Sequence, residues 1–306
     1  MRVLAGKMKA NQHLAFSPDG RRLVCGGNSR GIALWDITTN DPHQMILRQG
    51  HGPFVFHFDA ATDRLFVAFK SGGIWVRSGD GVERELMIPG AGHRYEPQQI
   101  SGTVVSAFTT WLVISHYHSG KAVLDRYTLT ETGVGSRVWR IQEEYVWEGA
   151  FVQRPGTDEL FGLGGSGSPR TFVTRSLANG ERMEIYPYET QPHETVLGWA
   201  LSPDGEQVAF TTESRVRLLE LATRTETQLP AEAGTLGRAV AFHPNGRLLG
   251  VASGDGVKML DASTLEEVRT LSWGNGRVRS LAFAPDGMTA AATGERGWVT
   301  LWDLDL

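Results

Sequence analysis

The chain is predicted to be all-β, built from short antiparallel strands that recur in groups of four. Three observations carry that expectation: a repeated turn, the spacing of its copies, and a surplus of glycine. The turn occurs as Leu14 to Gly20 (LAFSPDG), Ala200 to Gly205 (ALSPDG), Ala241 to Gly246 (AFHPNG) and Leu281 to Gly287 (LAFAPDG). Of its prolines Pro18, Pro203, Pro244 and Pro285, the last three are 41 residues apart. The gap of 185 residues after Pro18 holds four intervals of about 46, a period of the kind that marks repeat architectures. Degenerate copies fill it, beginning at Phe58 (FDAATDRLFVAF), Phe108 (FTTWLVI) and Phe151 (FVQRPGTDELFGL). The units therefore number seven.

Each unit opens with a short apolar strand and a Pro-Asp-Gly type turn, then runs into a second apolar strand. Proline sets φ at the first corner, aspartate suits the second, and glycine takes the left-handed position that follows. A second turn leads to an alternating third strand: Ile32 to Asp36, Val216 to Glu220, Val257 to Asp261 and Val299 to Asp303. A more polar fourth segment completes the unit. Four strands in every 40–45 residues is the signature of a propeller blade. The expected fold is a single seven-bladed β-propeller over residues 1–306. Its units span about 10–50, 51–92, 98–142, 145–188, 195–231, 236–272, and 276–306 together with 1–6. The seventh unit ends after its third strand, so the apolar segment Arg2 to Ala5 is expected to supply the fourth and close the ring. One local signal disagrees: Ser263-Thr264-Leu265-Glu266 has a capping-box pattern that could open a helix. The repeat register instead places Glu266 to Leu271 on an outer strand, and a sevenfold pattern outweighs one tetrapeptide.

Composition narrows the function. The 37 glycines and 13 prolines make about one residue in six, well below the level that marks disorder. Thirty basic against thirty-four acidic residues give a net charge of −4, which argues against nucleic acid or an anionic membrane as partner. No apolar run approaches the ~18 residues of a membrane span. Met1 to Ala10 lacks the apolar core of a signal peptide, so the cytoplasm is the expected compartment and a monomer the expected state. The single cysteine, Cys25, excludes an internal disulfide and any cysteine-based zinc cluster.

Trp35-Asp36 and Trp302-Asp303 end their third strands, and with the SPDG-like turns they make the whole chain resemble the WD-repeat family of β-propellers. Leu260-Asp261 and Leu219-Glu220 stand where two further Trp-Asp pairs would fall, and in the degenerate units Arg77, Tyr127 and Arg175 occupy the tryptophan slot. The family's Gly-His dipeptide is represented by Gly50-His51 and Gly92-His93. The resemblance implies a non-catalytic scaffold that binds a protein or peptide and needs no cofactor.

Several other patterns are explained by structure alone. Gly162, Gly164 and Gly167 match GxGxxG, but Pro169 and a strand-like TFVTRSL follow, where a dinucleotide site needs a helix. Ser166 in GGSGS lacks the final glycine of a nucleophile elbow. Asp19, Asp204 and Asp286 each belong to their own turn. Cys25 is expected in the core. Trp35 and Trp302 are expected to pack between blades. His116 and His118 end an apolar strand two residues apart. A metal site there would need His93, His193, Glu143 or Glu144 to converge on them, and solvated histidines are the expected reading.

Units two to five exceed the 41-residue spacing. Their extra length is assigned to connections at the end of the blades where one outer strand passes to the next inner strand. These are Pro89 to Ile100, His116 to Lys121, Gln142 to Trp147, Gly164 to Arg170 and Pro187 to Thr195. They carry His93, Arg94, Tyr95, His116, Tyr117, His118, Tyr145, Trp147, Tyr188 and His193, aromatic and arginine side chains of the kind that anchor protein interfaces. Arg94, Glu143, Glu144 and Glu194 are expected to form a polar rim. The alternative is a propeller enzyme of hydrolase, lactonase or lyase type with a metal or His/Glu site at the channel mouth, and drifted loops are a third account of the same residues.

Overall fold

The repeated turn folds as its residues dictate. Gly20, Gly205, Gly246 and Gly287 all take positive φ, between 70° and 77°, and each donates its N–H to the carbonyl three residues back (Ser17, Ser202, His243 and Ala284) at 2.9 Å. A Cβ in that conformation is strained, so glycine is the residue the turn requires. The computed structural model describes residues 1–4, 11–27, 32–39, 44–48, 53–59, 63–69, 74–86, 105–108, 111–118, 121–130, 133–143, 151–164, 170–188, 194–230, 236–254, 256–272, 274, 276–294 and 296–304.

Among the described residues twenty-eight strands follow in chain order. After β1 (Arg2–Leu4) the first blade is β2 (Asn11–Phe16), β3 (Arg22–Gly27), β4 (Ile32–Asp36) and β5 (Gln44–Arg48). The second is β6 (Pro53–Asp59), β7 (Arg64–Phe69), β8 (Ile74–Arg77) and β9 (Glu83–Leu86). The third is β10 (Val105–Phe108), β11 (Trp111–His118), β12 (Lys121–Thr130) and β13 (Gly133–Glu143). The fourth is β14 (Val152–Gln153), β15 (Glu159–Gly164), β16 (Arg170–Ser176) and β17 (Arg182–Tyr188). The fifth is β18 (Gly198–Leu201), β19 (Gln207–Thr211), β20 (Arg215–Glu220) and β21 (Glu226–Pro230). The sixth is β22 (Leu236–Phe242), β23 (Leu248–Ser253), β24 (Gly256–Asp261) and β25 (Glu267–Ser272). The seventh, β26 (Val278–Phe283), β27 (Thr289–Gly294) and β28 (Val299–Asp303), is completed by β1. Every pairing is antiparallel. The fold is an all-β propeller, and among the described residues it contains seven such blades and no helix.

The strands group into two compact units. Residues 1–50 and 191–306 form one, and residues 51–190 the other. In the first unit β1 pairs with β28 through Arg2↔Leu301, Val3↔Thr300 and Leu4↔Val299, so the fourth strand of the last blade comes from the start of the chain. Trp35 is buried in one cluster with Leu4, Ala284, Ala291, Val299 and Leu301, which joins the first and seventh blades. Trp302 packs with Ala252, Val257, Met259 and Leu271 of the sixth blade, and its indole N–H donates to the Ser272 carbonyl at 3.3 Å. Both tryptophans are thus inter-blade packing residues, and Cys25 lies in the core with its thiol pushed up by burial.

In the second unit, Trp139 Nε1 of β13 donates to the Leu177 carbonyl at 2.9 Å, and Val113, Leu124, Phe151, Leu160 and Val173 form the cluster between the third and fourth blades. The tryptophan slot keeps its register even where the residue changes. Leu65↔Arg77, Leu112↔Tyr127 and Leu160↔Arg175 repeat the pairing Leu23↔Trp35. Burial lowers the Arg175 guanidinium to about 10, with Arg182 adding to the effect, and Arg175 Nη1 donates to the Gly180 carbonyl at 3.0 Å.

The repeat register prevails over the capping-box pattern: Ser263 to Leu265 form a turn in which the Asp261 carboxylate accepts the Ser263 and Thr264 amides at 2.8 and 3.0 Å, and the outer strand follows over Glu267–Ser272. One expectation is corrected. The added length of the third unit is partly strand. His116, Tyr117 and His118 belong to β11 and pair with Val123, Ala122 and Lys121, while Gln142 and Glu143 end β13. No Gly or Pro precedes His116 to interrupt the apolar run, so the strand continues to His118.

Candidate interaction surface

The aspartates of the repeated turns have structural work. Asp204 accepts from the Ser202 hydroxyl and from the Glu206 amide at 3.0 Å, and the hydroxyl contact leads in holding its carboxyl below the ordinary range. Asp36 is held down by the Thr38 hydroxyl and amide, and Asp261 by Ser263 and then Thr264. Asp286 accepts the Met288 amide at 2.9 Å. A depressed folded-state pKa means that the unfolded chain binds more protons in the acid range. The stability that Asp36, Asp204 and Asp261 contribute is therefore present above the unfolded pKa and is lost as pH falls through the folded one. Between ~pH 5 and ~pH 2 the melting temperature of the wild type should fall more steeply than that of Asp36→Asn/Asp204→Asn/Asp261→Asn. Parallel curves would remove the turns from the acid response.

The sequence-assigned surface residues fare unequally. His93, Arg94, Tyr95, Glu144, Tyr145, Trp147 and His193 lie outside the described residues, as do Ser166, Gly167, Gly50-His51 and Gly92-His93. His116, Tyr117, His118 and Glu143 are placed as strand positions only. Tyr188 is not displayed: it is 3 % exposed, the last residue of β17, with its ring 5.3 Å from that of Phe172. Phe172 stacks in turn on Phe161, so an aromatic core within the blade draws Tyr188 inward.

Glu194 is also interior. It is 7 % exposed, with Oε2 3.6 Å from Nη1 of Arg217. Arg217 is 2 % exposed, makes a two-pronged pair with Glu226 (Nη2 to Oε2, 2.7 Å) and lies 5.1 Å over the Phe210 ring. A guanidinium buried on a central strand holds its place only with carboxylates around it, and this removes Glu194 from any rim. The one available sequence signal was the arginine in the alternating run RVRLLE of β20.

Gly162 and Gly164 sit on β15, where a Cβ would strike Phe151 and Val173 respectively. They serve close packing, and a strand follows them. Among the described residues no three His, Cys, Asp or Glu side chains gather where they could hold a metal ion. No helix of the described residues is long and apolar enough to cross a membrane.

Seven four-stranded blades among the described residues, a Pro-Asp-Gly or Pro-Asn-Gly turn after four of the inner strands and tryptophans wedged between blades define a repeat-built β-propeller. A family model described as "WD domain, G-beta repeat" matches residues 12–36 and 265–303, the segments containing Trp35 and Trp302. Those two segments match the WD-repeat family. It is similar to the meiotic recombination protein rec14 of Schizosaccharomyces pombe, with 25% identity over 240 residues, which is 76% of this chain and 63% of the relative. The chain thus spans less than two thirds of that relative's length. WD-repeat propellers are typically non-catalytic and mediate contacts between proteins.

Proposed function

We propose that the protein is a non-catalytic cytoplasmic scaffold that binds a protein or peptide through the connections over blades two to five. The observation that supports this most is the fold itself. Within each unit neighbouring blades are stapled by side chains, Trp302 to Ser272 in one and Trp139 to Leu177 in the other, and rigid supports displaying loops are how binding surfaces are built. The relative's name points to meiotic recombination as the setting in which a partner is first sought.

With Tyr188 and Glu194 interior, the anchors reduce to Tyr145, Trp147, Tyr95 and Tyr117, with His93, Arg94, His116, His118 and His193 around them. Quantitative affinity purification from the native organism tests the reading, with wild type compared to Tyr145→Ala/Trp147→Ala, both shown to be folded. The expected result is a partner retained by wild type and depleted at least about tenfold by the variant, since anchor truncation typically costs more than 1 kcal/mol per residue. Equal recovery from both baits would remove this surface from the account.

A further inference from the structure

A different surface, in the unit formed by residues 1–50 and 191–306, has its own chemistry. Trp298 is 46 % exposed and is the only aromatic side chain exposed among the described residues. Its backbone is held firmly. Gly297, at φ +77°, donates to the Gly294 carbonyl at 3.1 Å, and the buried Thr293 hydroxyl donates to the Trp298 carbonyl at 3.1 Å. The indole is therefore presented to water by a fixed turn between β27 and β28.

Around that turn the register gathers exposed arginines. Val278 at the start of β26 pairs with Gly294 at the end of β27, which brings Arg277 and Arg279 to the strand end where Arg296 and Trp298 lie. Arg238 of β22 is the 41-residue repeat equivalent of Arg279. The two inner strands touch there, since a Cβ at Gly237 would sit 3.3 Å from the Val278 carbonyl. All four arginines are exposed. Arg238, Arg277 and Arg296 make no hydrogen bond or ion pair among the described residues. Glu213, in the β19–β20 turn, is engaged by the Thr195 amide at 2.8 Å. Asp255 and Glu295 lie outside the described residues. Among the described residues of a chain of net charge −4 the four arginines make a local excess of positive charge.

We propose that this surface docks an acidic peptide segment of a partner protein, with Trp298 covering an apolar side chain and Arg238, Arg277, Arg279 and Arg296 pairing with its carboxylates. Arginine forks match carboxylates with two parallel hydrogen bonds, and a central aromatic within a polar surround is the usual anatomy of an interface anchor. Nucleic acid fits less well. A single exposed aromatic gives no run of stacking platforms, and the overall negative charge opposes a polyphosphate.

Selection from a library of short random peptides tests the proposal, with single-stranded DNA titrated in parallel. Wild type should enrich sequences with several Asp or Glu flanking an apolar residue. Arg238→Ala/Arg279→Ala and, separately, Trp298→Ala, exposed positions whose melting temperatures verify folding, should each weaken a selected peptide at least about tenfold. Added salt should weaken it further. Enrichment of neutral or basic peptides, no enrichment, affinities unchanged in both variants, or tighter binding of DNA would overturn the proposal. Tyr145→Ala/Trp147→Ala should leave the selection unchanged, so this surface and the one over blades two to five succeed or fail separately.

Discussion

Removal of residues 1–6 is expected to cost more stability than any surface truncation of similar length. Among the described residues of that segment three form strand, and this β1 is the fourth strand of the seventh blade, paired residue for residue with Val299 to Leu301. Leu4 is 5 % exposed and shares a cluster with Trp35, Ile37, Val299 and Leu301. Without β1 the N–H and C=O groups along the outer edge of β28 lose their partners, and the Trp35 cluster opens on one side. Leu4→Ala alone should cost about 2–5 kcal/mol through lost burial and the cavity left behind. The deletion should lower the melting temperature by roughly 10 °C, given the shift of a few degrees per kcal/mol seen in large domains. Thermal melts of wild type, Leu4→Ala and the deletion should fall in that order. An unchanged melting temperature in the deletion would mean that the chain ends are not joined through this blade.

The second large effect is at Arg217. Replacement by alanine leaves Glu226 and the buried Glu194 facing each other without the cation that holds both. Stripping one partner from a buried ion pair typically costs about 3–5 kcal/mol, because the remaining charge is left desolvated. The same reasoning gives an internal control. Arg217→Met/Glu194→Gln/Glu226→Gln keeps the volume and removes every charge, so it should recover most of the loss. Urea denaturation of the three proteins checks this. Equal losses in Arg217→Ala and the triple variant, which keeps the stem volume over Phe210, would show that the stranded carboxylates do not set the cost.

Features written in short stretches of chain were legible. The four Pro-Asp/Asn-Gly turns could be read because proline, aspartate and glycine each suit one corner, and the structure places all four glycines at positive φ. The tryptophan slot was legible even in units without tryptophan, because the strand register carries it: Arg77, Tyr127 and Arg175 face the same partner position as Trp35. The N-terminal strand could be inferred from a missing fourth strand at the other end of the chain.

Features that depend on distant partners were not legible. Glu194 reads as a loop carboxylate until Arg217, 23 residues later, is found buried beside it. Tyr188 reads as a loop aromatic until the ring of Phe172 is placed. The length of β11 to β13 escaped because nothing in His116 to His118 stops a strand. Trp298 drew no attention because GERGW reads as an ordinary turn entering a strand. Only its exposure beside four arginines gives it meaning.

On the proposed function, the scaffold does no chemistry of its own and meets its partner through connections over blades two to five. Amide hydrogen exchange, measured on the protein alone and saturated with the partner captured by affinity purification, checks where the two meet. Protection should concentrate in residues 89–100 and 142–147, with the Pro-Asp-Gly turns at Ser17–Arg22 and Ser202–Gln207 unchanged. Protection confined to those turns or to the outer strands β21 and β25 would contradict that reading.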